Sequence, residues 1–117
     1  MKDIKTLTCI VLSSAIFGSC IHINEPPKND SPRVRISAST YDPIYAGNGV
    51  SFDGSGSYDF DGDIVSYRWD FGDGDRASGA RVKHIYDAVG YFSTCLTIED
   101  NEGATSKTCV GVNVMTR

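Results

Sequence analysis

Carboxylates dominate the chemistry this sequence has to offer. Seven of its 15 acidic residues fall between Asp53 and Asp75, mostly in two short stretches, "DFDGD" (59–63) and "WDFGDGD" (69–75). Three uses of acids fit such spacing. A pair such as Asp61 and Asp63 is the minimum equipment for acid–base hydrolysis, provided a cleft holds a substrate against it. Acids alternating around a glycine resemble a calcium loop, because a hard cation takes about six to eight oxygens and cancels the repulsion among them. The EF-hand pattern is not completed: Asp70 stands where its closing Glu belongs, and no flanking helical period is present. The third use is architectural. Asp70 and Asp73 accept backbone N–H bonds in a turn that Gly72 and Gly74 permit through positive φ. Turn-building is the expected role of the second stretch, with metal binding there as the lesser alternative.

Nucleophilic and zinc chemistry find less to work with. A Ser–His–Asp set needs a histidine beside a serine, and a zinc site ordinarily takes several His or Cys ligands. Beyond residue 31 the chain holds one histidine, His84, on the apolar side of its run. It is expected to be a hydrogen-bonded structural residue. No catalytic residue is assigned, and the chain is expected not to be an enzyme.

The elements that must position these acids are short and alternating. Val34, Ile36 and Ala38 form one apolar face, Val50 and Phe52 another, and Val65, Tyr67, Trp69 and Phe71 a third. Val82, His84 and Tyr86 follow, then Phe92, Thr94, Leu96 and Ile98, then Val110, Val112 and Val114. Period-two runs separated by Gly, Asp and Asn clusters are strands, each with one buried face. The expected fold is all-β: a sandwich of about seven antiparallel strands in two sheets packed face to face. Trp69 is expected in its core.

Two cysteines fit that sandwich as a staple. "DNEG" (100–103) is a turn signal, and a hairpin centred on Glu102 sets Cys95 directly opposite Cys109. Directly opposed Cα atoms lie within disulfide reach, so a Cys95–Cys109 bond is expected on the face away from Leu96 and Val110. Two free thiols are the competing reading; no CxxC spacing or activating neighbour supports it.

Residues 1–19 read as a signal peptide. Lys2 and Lys5 precede an apolar stretch shorter than the about 20 residues a transmembrane helix needs, a single-pass anchor being the lesser alternative, and "GSC" follows. "FGSC", ending at Cys20, resembles the lipobox of bacterial lipoproteins, with Phe17 in place of the usual Leu. The resemblance implies lipidation of Cys20 and anchoring to a membrane; ordinary cleavage with a spare thiol is the alternative. Residues 20–31, with Pro26 and Pro27, read as a tether, and 32–115 as the domain. Removing residues 1–19 leaves a net charge of about −5 and no basic patch, so nucleic acid is not expected as a partner.

The stretches "DFDGDIVSYRWDFGDGDRASG" and "VKHIYDAVGYFSTCLTIEDNEGATS" closely resemble the PKD domain, the polycystic-kidney-disease-type immunoglobulin-like sandwich. The resemblance implies a non-catalytic extracellular module that mediates adhesion or accompanies secreted enzymes. Related domains in bacterial collagenases bind calcium, and carrying their ligands over implicates Asp59, Asp61 and Asp100, with Asn29 or Asp30 as weaker candidates. A solvated acidic turn is the alternative. Tyr86 followed by Gly90 resembles a tyrosine corner. Tyr41, Tyr45 and Tyr58 are either an exposed aromatic surface or scattered loop tyrosines. The expected function is a lipid-anchored, extracytoplasmic binding or adhesion module for extracellular protein or polysaccharide, at the outer membrane or cell surface. The runner-up is a structural spacer of the cell envelope. Ile21, where an aspartate is often linked to inner-membrane retention, leans towards the outer membrane.

Overall fold

The computed structural model describes residues 7–11 and 20–24 as backbone, and 28–39 and 43–117 with their side chains. The expected lipidation of Cys20 and the assignment of Tyr41 to an aromatic surface therefore lie outside the described side chains. Strand β1 (Leu7–Val11) pairs antiparallel with β2 (Cys20–Asn24). The domain follows, built from β3 (Ser37–Ser39), β4 (Ile44–Tyr45), β5 (Gly49–Asp53), β6 (Ile64–Asp70), β7 (Arg76–Ser78), β8 (Arg81–Ile85), β9 (Gly90–Asp100) and β10 (Thr105–Met115). No helix occurs among the described residues.

Two sheets form a sandwich. One has the order β4-β10-β9-β6-β7 and the other β3-β5-β8. Their inner faces supply the core: Val50 and Phe52 from β5 meet Trp69, Leu96, Ile98, Val112 and Val114 from the larger sheet, with Phe71 and Tyr86 just beyond strand ends. Phe52 packs between Trp69 and Phe71, each ring centroid 5.7 Å away. The fold is the all-β sandwich that the alternation predicts, with two departures. Strands β4 and β7 lie in segments too short to show a period. The β4–β10 pair is also parallel, where the expectation was antiparallel throughout.

Val65 is a correction. Alternation places it inward with Tyr67 and Trp69, yet it is 61% exposed. The β6–β9 register slips between Ile64 and Ser66. A β-bulge there inserts one unpaired residue, so the inward place passes to Ile64 and the count restarts.

Tyr86 behaves as a corner residue: its fully buried hydroxyl donates to the Phe71 carbonyl at 3.2 Å and meets Thr94 Oγ1. Gly72 sits where only glycine fits. Its φ is +80°, and a Cβ there would stand 2.5 Å from the Ser93 carbonyl oxygen.

Cys95 and Cys109 are directly opposed across β9 and β10 and are joined by a disulfide with Cα atoms 4.0 Å apart. Their face is the outer one, away from the core. In the chain-entropy account, closing a loop this short contributes about 3 kcal/mol. Reducing the bond is therefore expected to lower the urea midpoint, followed by fluorescence of the single tryptophan, Trp69. Equal midpoints with and without reductant would refute the staple.

Candidate metal centre

The acidic stretch 59–63 is a loop leading into β6, and Asp100 ends β9. Along β9, Thr94, Leu96, Ile98 and Asp100 share one parity, so the same alternation that buries leucine and isoleucine also buries a carboxylate. Asp100 is 1% exposed. It is tolerated because it is fully bonded: Oδ1 accepts the N–H groups of Glu102 and Ala104, both at 2.9 Å, and Oδ2 accepts from Asn29 Nδ2 at 2.7 Å. One residue thereby caps the 100–103 turn and faces the loop.

The loop brings two further carboxylates to it. Candidate ligand oxygens of Asp59, Asp61 and Asp100 all lie within 4.8 Å of one another. Asp61 Oδ2 accepts the Asp30 N–H at 2.8 Å, and Asp59 Oδ1 accepts the Asp61 N–H at 3.3 Å. The loop is stitched to the β9–β10 turn through Asn101, which donates its N–H to the Asp63 carbonyl at 2.9 Å and accepts the Asp63 N–H at 3.0 Å. Gly62 leaves room for that contact, since a Cβ there would lie 2.2 Å from Asn101 Oδ1. The structure thus gathers Asp59, Asp61, Asp100 and Asn29, with Asp30 contributing its backbone.

The donors do not suffice for the acceptors. Asn29 Oδ1, Asp59 Oδ2 and Asp61 Oδ1 are buried with no hydrogen-bond partner. Buried oxygens without donors are costly, and a hard cation among clustered carboxylates is one way to relieve them. The donor set, all oxygen and mostly anionic, fits calcium. Without a cation, a proton is the substitute. Burial, then the neighbouring Asp61 and Asp100 carboxylates, push Asp59 up to about 6. Asp61 is held low, chiefly by the Asp30 N–H. Burial works to raise Asp100, but its bonds from Asn29 and two N–H groups keep it low.

Beside this cluster, Tyr58 and Phe60 form an edge-on aromatic pair, centroids 5.1 Å apart, with Phe60 67% exposed. Arg35 lies over the Tyr58 ring at 5.6 Å. Ser57, Tyr58, Asp59, Gly62, Asp63, Ile64 and Tyr67 line an open depression of about 290 Å³. Phe60 is a candidate contact residue that the sequence reading missed; its place between two loop aspartates was the available signal. Tyr45 stands apart, under Arg117 at 5.4 Å.

The second acidic stretch builds its turn as expected. Asp70 Oδ1 accepts the Gly72 N–H at 3.0 Å and Asp73 Oδ1 the Asp75 N–H at 3.1 Å. His84 packs on the core side and bonds Asp73 through Nε2 at 2.6 Å.

The chain matches the PKD domain family over residues 29–114 and belongs to it. Collagenase ColA of Clostridium perfringens is 37% identical over 83 residues, which are 71% of this chain and 7% of the collagenase. The chain spans less than a tenth of the curated collagenases it matches. The crystal structure of the PKD1 domain of Vibrio anguillarum Epp is 32% identical with a TM-score of 0.66, covering 77% of this chain and 100% of that one. A solved chain from work on promiscuous carbohydrate-binding modules of the β-sandwich superfamily is 33% identical with a TM-score of 0.72, over 77% of this chain and 36% of that one.

Proposed function

We propose that this chain is a lipid-anchored, extracytoplasmic PKD-domain protein that binds a protein or polysaccharide polymer and performs no catalysis itself. Calcium at Asp59, Asp61 and Asp100 fixes the loop that meets the ligand. The observation carrying this reading is the exposed Tyr58–Phe60 pair, held on the same loop as the donor-poor carboxylates. Exposed aromatic rings supply contact area at low entropic cost, and polymer ligands supply flat faces for them. The likeness to segments of collagenases supports a protein polymer; the likeness to a chain solved in work on carbohydrate-binding modules supports a polysaccharide. The lipobox-like "FGSC" supports an anchor at Cys20 and a location at the outer membrane or cell surface.

The experiment is a sedimentation assay of the purified chain with insoluble collagen and with a panel of insoluble polysaccharides, with calcium and with chelator. Retention on one polymer class is expected, weakened in Phe60→Ala and by chelator. Failure on every polymer would remove the binding reading. Mass spectrometry of the native N-terminus tests the anchor separately, and a diacylated Cys20 is the expected species.

A spacer role in the cell envelope has one observation in its favour. Asn29 and Asp30 dock the end of the tether onto Asp100 and Asp61, which stiffens the junction between tether and domain.

A further inference from the structure

A second group of metal-ligating atoms lies at the other end of β6, about 20 Å away along a strand rising about 3.3 Å per residue. His84 Nε2 and carboxylate oxygens of Asp73 and Asp75 all lie within 4.8 Å of one another. We propose that Asp73, Asp75 and His84 form a site for a divalent transition-metal ion of the zinc class, distinct from the all-oxygen cluster and independent of polymer binding.

The geometry argues for it residue by residue. The His84 ring is stacked on Phe71, centroids 3.9 Å apart and 3° from parallel, and meets Tyr86 edge-on at 4.7 Å. Those contacts hold the imidazole in one orientation, with its side chain 10% exposed and Nε2 directed at Asp73. A ligand already fixed loses little entropy on binding. Asp73 is half committed: Oδ1 accepts the Asp75 N–H, and Oδ2 faces His84 at 2.6 Å. The glycines on either side of it, with φ of +80° and +98°, curl the turn so that Asp73 and Asp75 approach the same histidine. The Asp75 carboxylate makes no hydrogen bond or ion pair among the described residues; its neighbour Arg76 turns to Asp70 instead, at 3.6 Å.

The chemistry selects the ion. Imidazole nitrogen suits zinc, nickel and copper, and calcium and magnesium prefer all-oxygen sites. A tetrahedral ion with bonds of about 2.1 Å spaces its ligand atoms roughly 3.4 Å apart, so the Asp73–His84 contact needs to open by roughly 0.8 Å while Asp75 closes in. One position stays open for water. Sequence reading discounted zinc for want of further His or Cys. Here two carboxylates make up the set, and the turn brings them to a histidine on the neighbouring sheet.

The test is calorimetric titration of the purified full chain with zinc, in excess calcium so that the oxygen cluster is engaged. Saturable one-to-one binding is expected. Asp75→Asn is expected to weaken it by about tenfold or more, since removing even an outer-shell partner of a metal site costs that much. His84→Gln is expected to weaken it further, and Asp61→Asn to leave it unchanged. Because Asp75 is exposed, its variant decides the matter even if the histidine variant misfolds. No saturable zinc binding, wild-type affinity in Asp75→Asn, or loss in Asp61→Asn would each overturn the proposal.

Discussion

Trp69→Ala is expected to destabilise the domain by about 3–5 kcal/mol, the usual cost of emptying a large aromatic site in a packed core. Trp69 is 1% exposed, lies against Phe52 and closes over Gly54, where even a Cβ would stand 3.2 Å from its ring. Two losses add to the void. Phe52 and Leu96 lose packing partners, and the Gly79 carbonyl loses the indole N–H that reaches it at 2.8 Å. That bond ties the turn after β7 to the C-terminal end of β6, so the edge of the larger sheet loosens with the core. Small domains hold only about 5–15 kcal/mol in all, and a melting point moves roughly 4–8 °C per kcal/mol at this size. Thermal unfolding followed by circular dichroism should therefore show a drop of about 12 °C or more. Trp69→Phe keeps most of the area and forfeits the N–H bond, and should fall between the two. A variant Trp69→Ala melting within about 3 °C of wild type contradicts a core built on this ring.

The same residue shows why so much of the sandwich is readable from sequence. A half-buried strand has to alternate, and β5, β8, β9 and β10 do so without interruption, so their inward residues are those the pattern names. The opposition of Cys95 and Cys109 follows from a turn signal and a count along two regular strands. The pattern fails where an extra residue breaks the period. At Val65 a bulge shifts the parity, and nothing in "DIVSYRW" marks it. Strands β4 and β7 are too short to carry a period at all. The candidate centre divides along the same line. Asp59, Asp61 and Asp100 come from likeness to a family rather than from spacing, because Asp100 is 39 residues from Asp61 and only the β6–β9 pairing brings them together. The docking of Asn29 onto Asp100 spans 71 residues and is equally silent in the sequence. The Asp73–His84 contact is a third case: it joins two sheets, so periodicity within either strand has no access to it.

Calcium at a thousand times its dissociation constant is expected to stabilise the domain by about 4.1 kcal/mol, raising its melting point by roughly 15–30 °C. The size of that effect should depend on pH in a direction fixed by Asp59. In the metal-free fold its carboxyl is raised from the ordinary 3.8 to about 6, by burial first and then by Asp61 and Asp100. A folded state that holds its proton more tightly than the unfolded chain gains stability at low pH, and loses that gain as pH rises from about 4 through about 6. Asp61 and Asp100 act oppositely: both lie below 3.8, so their contribution is present above that value and is lost in stronger acid. The cluster therefore favours the metal-free fold most near pH 4, and that contribution declines as pH rises towards about 6. Calcium takes the place of the proton, so its stabilisation is larger at pH 7.5 than at pH 5, where Asp59 must first be deprotonated. Asp61→Asn separates a ligand from a structural residue. Its amide can donate to Asp59 Oδ2, which lacks a donor in the wild type, so the metal-free variant should be at least as stable while the calcium shift collapses. Differential scanning fluorimetry of both proteins with calcium and with chelator at the two pH values reads all of this. A calcium shift of equal size at both pH values, or one that survives in Asp61→Asn, places the ion elsewhere.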